Sequence, residues 1–189
     1  MPTILFAILF YFTSFIGVSL SQQSMLYVLV IIFTTTFVLP IFCVAVLKYT
    51  QNISSFNLED RKERFVPFFF ISLFYAINTY LFLTKIRIGD VFLVVISGIT
   101  VIIFLLTFIT VFWKISVQST AISGTIGFLL GISWKYPQDR LLIPVIILIL
   151  MAGILMSSRL YLNTNRPKEI LGGSLLGFMV SFGSVYFFI

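Results

Sequence analysis

The polar groups best suited to chemistry in this chain lie between Ser158 and Glu169, in the sequence Ser-Arg-Leu-Tyr-Leu-Asn-Thr-Asn-Arg-Pro-Lys-Glu. The stretch contains three cationic side chains, Arg159, Arg166 and Lys168, and one carboxylate, that of Glu169. A long apolar segment precedes it and another follows. In so apolar a chain, charges collect where the chain leaves the hydrocarbon, and they mark either a solvated turn or a site. Guanidinium groups at such a place favour a carboxylate or a phosphate as ligand.

A second polar stretch, Trp113-Lys-Ile-Ser-Val-Gln-Ser-Thr120, opens another apolar segment. Ser116 and Gln118 lie where that segment is expected to begin as a helix. The N–H groups of a first helical turn, together with the Ser116 hydroxyl, are suited to hold a phosphate oxygen. The simpler interpretation is that Ser116 only caps the helix.

A third polar stretch, Leu58-Glu-Asp-Arg-Lys-Glu-Arg-Phe-Val-Pro67, precedes the third apolar segment. Arg61 and Arg64 have helical spacing, so both guanidinium groups are able to reach one anion. The simpler interpretation is an anchor beside the membrane whose charges pair with local Glu and Asp. Pro67 is expected in the first turn of the following helix, where its missing N–H costs little.

The absent residue types exclude several kinds of chemistry. The chain has no histidine, which is the usual acid or base at neutral pH and a very common metal ligand. Its one cysteine, Cys43, lies in an apolar run, so no internal disulfide or thiolate metal site is expected. We therefore predict neither a metal nor a cofactor. The excess of twelve Lys and Arg over six Asp and Glu lies in short loops, which argues against a nucleic-acid partner.

The elements that carry these stretches are predicted to be membrane helices. With 60% hydrophobic and 10% charged residues in 189, the chain is too apolar for a soluble protein of one core. We predict an all-α, polytopic bundle of seven spans forming a single domain over 1–189. The fifth span is short and rich in small residues. The predicted spans are about 3–20, 26–47, 65–84, 90–113, 119–134, 140–157 and 170–189.

The distribution of positive charge predicts an orientation. Seven spans place the loops 48–64, 114–118 and 159–169 on the side of the N-terminus, and these hold eight of the twelve basic residues. The positive-inside rule then puts the N-terminus and all three polar stretches in the cytoplasm. A phosphate site would also place arginines in these loops, whatever the orientation. We expect the protein in the plasma (inner) membrane.

Small residues at four-residue intervals mark one face of the fifth span and one face of the last. Such faces let helix backbones approach closely in lipid, so we predict that these two helices pack together. Their packing would bring the loops 114–118 and 159–169 to one place. The small residues are Ser123, Gly127 and Gly131 in the fifth span, and Gly173, Gly177 and Ser181 in the last.

The three polar stretches resemble, in order, the three signatures of the type-2 phosphatidic acid phosphatase superfamily. Its third signature is Ser-Arg, five residues, His, three residues, Asp, and it falls on Ser158, Arg159, Asn165 and Glu169. Its second is Pro-Ser-Gly-His at a helix start, in which Ser116 matches the Ser and Gln118 takes the position of the His. The chain therefore has an amide at both histidine positions.

The first signature, Lys, six residues, Arg-Pro, is matched poorly. The residue seven positions before Arg64 is Asn57, and the proline follows Arg64 by three positions instead of one. The resemblance covers roughly 26–189, and it implies a six-helix core preceded by one additional N-terminal helix.

What the resemblance implies for function follows from the two amides. In such enzymes one histidine attacks phosphorus, an Asp orients it, and the other histidine protonates the leaving oxygen. Amides have neither the basicity nor the nucleophilicity for these roles, although both donate hydrogen bonds to phosphate. We therefore expect a catalytically inactive relative that binds a membrane lipid of the phosphatidate or prenyl phosphate type. The expected phosphate-binding residues are Arg61, Arg64, Ser116, Arg159 and Arg166.

Two alternatives remain open on the sequence. The first is a structural subunit with a vestigial pocket that packs against other membrane proteins. The second is an active lipid phosphatase with another nucleophile, Glu169 or Ser116. All three hypotheses share one geometric expectation. Ser116 and Asn165 should meet near one membrane face, with Arg159 pointing into the same space.

Overall fold

The computed structural model of the chain describes residues 1–12, 22–49, 61–86, 89–137 and 139–189. Regular structure in these ranges is entirely helical, as the composition predicts. The α-helices are α1 (Pro2–Phe12), α2 (Gln22–Phe33), α3 (Leu39–Tyr49), α4 (Arg61–Thr84), α5 (Asp90–Phe112), α6 (Val117–Lys135), α7 (Leu142–Tyr161) and α8 (Pro167–Phe188). A short π-helical segment, Thr34–Val38, joins α2 to α3 in one long rod, and a 3-10 turn, Asp139–Leu141, precedes α7.

Five helical stretches in the described ranges are long and apolar enough to cross a membrane: the α2–α3 rod, α4, α5, α7 and α8. Five of the predicted spans are thus confirmed on length and composition, and the total of seven stays a prediction. Helix α6 has 19 residues, about 28 Å of helix, but many of them are Gly, Ser and Thr. Those residues lower its hydropathy, and most of them are buried against other helices.

Helix α1 differs from the long first span that the sequence predicts. It has 11 residues, about 16 Å, which is roughly half of the hydrocarbon thickness. The remainder of the predicted span, 13–20, lies outside the described residues. Helix α1 packs on α5 through Phe6 and Phe10, whose rings lie 6.0 and 4.9 Å from that of Phe92 between centroids.

The position of Pro67 corrects a sequence-based expectation. Helix α4 begins at Arg61, so Pro67 lies inside the helix and not in its first turn. The four residues 61–64 are Arg, Lys, Glu and Arg, which are good helix formers and extend the helix beyond the apolar run. Pro67 therefore removes one hydrogen bond near the membrane surface.

Helix α6 is the centre of the bundle, and every residue from Ile122 to Leu129 is buried. Its main partner is α8, and the two helices run parallel. Gly173 lies against the carbonyl of Ser116 near the helix starts, and farther along Gly127 lies against Ser181. The small-residue faces thus let the two backbones touch, which confirms the predicted packing of these helices.

Helices α4 and α5 are joined by a row of threonines. Thr100 and Thr107 lie seven residues apart, hence on one face of α5. The Thr100 hydroxyl hydrogen-bonds with that of Thr79 at 2.6 Å, and the Thr107 hydroxyl donates to the carbonyl of Phe68 at 3.2 Å. Hydroxyl contacts of this kind hold helices together where lipid offers no hydrophobic driving force.

Candidate functional site

The turn between α7 and α8 is fixed by backbone hydrogen bonds. Asn163 adopts a positive φ of 51°, which Asn tolerates better than most residues. The N–H of Asn163 donates to the carbonyl of Leu160 at 3.1 Å, and that of Thr164 donates to the carbonyl of Arg159 at 3.2 Å. This pair of bonds is a Schellman motif, which ends α7 and sets the direction in which the chain leaves it.

The first turn of α8 is organised by Glu169. Its Oε2 accepts a hydrogen bond from the amide Nδ2 of Asn165 at 2.9 Å and another from the backbone N–H of Arg166 at 3.2 Å. Pro167 occupies the first helical position, where no N–H is needed. The side chain of Glu169 is only 7% exposed, so this carboxylate is a buried cap of α8 and not a free surface charge.

Ser116 precedes the first residue of α6 and is 2% exposed. Its backbone N–H donates to the carbonyl of Glu169 at 3.2 Å, and its carbonyl accepts from the hydroxyls of Ser119 and Thr120. Ser116 occupies the predicted N-cap position, but its side chain makes no capping hydrogen bond. Ser116 and Asn165 thus meet at Glu169, one on its carbonyl and the other on its carboxylate.

The loops that carry the cations also lie together. The Nζ of Lys114 donates to the carbonyl of Thr164 at 3.4 Å, and the indole of Trp113 packs against Gly172 in the first turns of α8. The predicted approach of the loops 114–118 and 159–169 is therefore confirmed. Neither Lys114 nor Trp113 was a predicted site residue. Their place between two apolar segments could have marked them as residues of a turn or a site at the membrane surface.

We call the set formed by the N-termini of α6 and α8, Lys114, Arg159 and Arg166 the anion-binding face, after the ligand that we propose for it below. No protein-family model, curated protein or solved structure matches the chain. Its function is therefore inferred from the site itself.

The electrostatics of the anion-binding face follow from the parallel arrangement of α6 and α8. Each helix carries a partial positive charge at its N-terminus, and here both ends lie side by side. The Glu169 carboxylate lies in the first turn of α8, where a negative charge is favourable. Three basic side chains add positive charge, those of Lys114, Arg159 and Arg166. The arrangement is suited to bind an anion.

The predicted site residues differ in how exposed they are. Asn165 and Arg159 are half-buried, whereas Gln118 and Arg166 are exposed. Backbone 61–64 is helical, but the side chains of Arg61 and Arg64 lie outside the described residues. Among the residues that the structure describes, no group of three or more His, Cys, Asp or Glu is placed to hold a metal ion.

Proposed function

We propose that this protein is a catalytically inactive, phosphatidic-acid-phosphatase-like integral membrane protein of seven spans that binds a lipid phosphate at the anion-binding face. The hydrogen bond from Asn165 to Glu169 is the observation that carries the proposal. It pairs the residue at the resembled histidine position with the residue at the resembled Asp position, beside the start of α6. The resemblance implies the same pairing in a phosphatase, with a histidine in place of the amide.

The side chain of Asn165 suits binding better than catalysis. A carboxamide has two N–H donors, and one of them is used on the Glu169 carboxylate. The second is suited to a phosphate oxygen, as are the N–H groups that begin α6. An amide nitrogen is neither basic nor nucleophilic, so the phosphate is held and not cleaved.

The expected ligand class is a lipid that carries a phosphate monoester or diphosphate, such as phosphatidate or a prenyl phosphate. Arg159 lies in the last turn of the membrane helix α7 and is half-buried. A guanidinium there offers two parallel N–H donors to a phosphate at the depth of lipid headgroups. On the positive-inside rule this face lies in the cytoplasm, and the membrane is the plasma (inner) membrane.

The test compares Arg159→Ala with Lys135→Ala. Lys135 lies in the last turn of α6, at the opposite end of the bundle, and is exposed. Binding of phosphatidate to purified protein in detergent is measured by native mass spectrometry, with diacylglycerol as the uncharged control lipid. Loss of a charge-assisted contact is worth roughly 1.5–3 kcal/mol, so Arg159→Ala should weaken phosphatidate binding about tenfold or more.

Lys135→Ala should change phosphatidate binding little. Diacylglycerol binding should change little in either variant. Equal losses for the two variants, both abolished by added salt, would mean surface attraction to headgroups and would contradict a defined phosphate site.

A second candidate function is a structural subunit of a membrane complex. It is favoured by the α2–α3 rod, of whose most apolar stretch only 11% is buried inside the bundle. On this hypothesis the hydrogen bonds of Glu169 serve only to cap α8. Isolation in a mild detergent distinguishes the two, because a stoichiometric protein partner together with no retained phospholipid supports the subunit.

A further inference from the structure

An apolar cavity of about 290 Å³ lies between α4, α5 and α6, and α1 and the α2–α3 rod complete its wall. That volume is close to the lower end of the range of small-molecule sites. On α6 it is lined by Val117, Ala121, Gly124, Thr125 and Phe128. We call it the chain cavity.

The chain cavity is lined along several turns of α6. Its α6 residues extend from Val117 to Phe128, which corresponds to about 16 Å of helix. A volume of about 290 Å³ lined over that length is consistent with a slot that takes one hydrocarbon chain. Its lining on α6 begins at Val117, the first residue of the helix whose N-terminus belongs to the anion-binding face, directly after Ser116.

The hydroxyl groups in its wall do not offer their hydrogens to a ligand. Thr36 donates to the carbonyl of Ile32 at 2.7 Å, and Thr125 donates to that of Ala121 at 2.8 Å. The hydroxyl of Thr107 likewise points at backbone carbonyls of α4 and α5. A cavity whose hydroxyls are already used offers few donors to water or to a polar solute, so it favours an apolar occupant.

The wall formed by the α2–α3 rod has an irregular backbone at this point. The π-helical segment Thr34–Val38 places Thr36 in the wall, where its side chain hydrogen-bonds with Tyr75 of α4. Pro40, one turn later, also lines the cavity and has no N–H to donate to the carbonyl of Thr36. Irregular backbone within a membrane protein occurs where it lines a cavity, and π-bulges are frequent at functional sites.

We propose that the chain cavity receives one hydrocarbon chain of the lipid whose phosphate binds at the anion-binding face. This inference rests on the proposed function and specifies its ligand: a phosphate-bearing lipid of which a single acyl or prenyl chain enters the bundle. The phosphate stays at the N-termini of α6 and α8 while the chain extends along α6. A second chain, where the lipid has one, remains in the surrounding bilayer.

The test uses two photoreactive probes with the same chain, each bearing a diazirine near the methyl end. One probe is a lysophosphatidate and the other is the corresponding monoacylglycerol, which lacks the phosphate. Full-length protein in lipid nanodiscs is irradiated with each probe, and labelled residues are located by mass spectrometry. We expect both probes to label the cavity walls of α5 and α6, with the lysophosphatidate labelling at least about tenfold more efficiently.

A substitution that fills the slot tests whether the labelled chain lies inside it. Ala121→Trp places a large side chain in the middle of the cavity, and it should reduce cavity labelling by both probes at least about fivefold. The matched control is Ala76→Trp, since Ala76 lies on the exposed side of α4 next to Tyr75. Ile103→Trp fills the slot from the α5 wall and is used in the same way if Ala121→Trp does not fold.

The possible outcomes distinguish the proposal of a chain cavity from the proposal of a phosphate site. Labelling confined to outward-facing residues, or unchanged in both cavity-filling variants, would overturn the chain cavity. Cavity labelling by both probes with equal efficiency would support the chain cavity and contradict the phosphate site. Preferential retention of lysophosphatidate without cavity labelling would support the phosphate site alone.

Discussion

The backbone N–H of Ser116 donates to the carbonyl oxygen of Glu169 at 3.2 Å, which ties the residue before α6 to the first turn of α8. The same Glu169 accepts from Asn165 through its carboxylate. Two loops far apart in sequence are thereby held on one residue, and a shift of either helix start would disturb both. The relative position of these two loops is therefore set by the packing of α6 on α8 and not by a ligand.

The first prediction concerns that packing. A methyl group at Gly177 would collide with the backbone carbonyl of Thr120, so Gly177→Ala should lower the free energy of unfolding by about 1–3 kcal/mol. The same substitution at Gly183 of the same helix meets nothing within 4 Å and should be neutral or slightly stabilising. Unfolding by SDS in mixed micelles measures both. Similar stabilities for the two variants would show that α6 and α8 do not touch at Gly177.

The sequence predicted this contact because its signal is local. Glycines at four-residue intervals define a narrow face on any helix, and two such faces favour each other in lipid. The predicted span 65–84 matches the apolar part of α4. The expectation that Pro67 lies in the first helical turn was wrong, because hydropathy does not distinguish the polar helix formers before it from a loop. The π-helical segment and the chain cavity leave no pattern in the sequence, since both depend on how several helices fit together.

The candidate site also combines features that have a local sequence signal with features that depend on tertiary packing. Ser116, Asn165 and Glu169 were singled out by the resemblance of their loops to the phosphatase signatures, and the structure places them together. The spacing did not indicate that the Glu169 carboxylate would be buried as a cap, or that Lys114 would reach the turn before α8. Burial and long-range contacts are consequences of tertiary packing, which spacing within one loop does not contain.

The second prediction concerns Glu169 as a cap. Glu169→Ala removes the acceptor for the Asn165 amide and for the N–H of Arg166, so it should lower the free energy of unfolding by about 0.5–2 kcal/mol. Lys168→Ala, at the exposed neighbouring position, should change it by less than about 0.5 kcal/mol. Thermal unfolding in detergent compares the two variants. If the two variants unfold at the same temperature, the carboxylate does not stabilise α8.

The third prediction concerns Asn78, which is 1% exposed in α4. Neither its Oδ1 nor its Nδ2 has a hydrogen-bond partner among the residues that the structure describes. A buried amide without partners costs about 1–3 kcal/mol, so Asn78→Leu should raise the free energy of unfolding by roughly that amount. Thr79→Val is the control, since it loses the 2.6 Å bond to Thr100 and should be destabilising by about 1 kcal/mol. A loss of stability in Asn78→Leu would mean that the amide has a partner outside the described residues.

The fourth prediction concerns catalysis. Purified protein should release no phosphate from phosphatidate, lysophosphatidate or a prenyl diphosphate above a buffer blank. The reason is that the chain has no histidine and that Asn165 is committed to Glu169 by an amide hydrogen bond. Phosphate release that disappears in Glu169→Gln or Ser116→Ala would support an active enzyme with one of these residues as nucleophile.

The same prediction has a constructive form, because a site that lacks only its chemistry should regain activity when the chemistry is restored. In Gln118→His, Asn165→His, the imidazole at 165 would lie within reach of the Glu169 carboxylate, which now accepts from Asn165 at 2.9 Å. Each single variant should give almost nothing, since nucleophile and acid act as a unit. Activity in the pair should be weak, because Gln118 is exposed and Glu169 is one methylene longer than Asp, and a displacement of about 1 Å costs on the order of a hundredfold. Adding Glu169→Asp should raise it further. A triple variant that folds, binds phosphatidate and releases no phosphate would show that the three polar stretches do not form a phosphatase-like pocket.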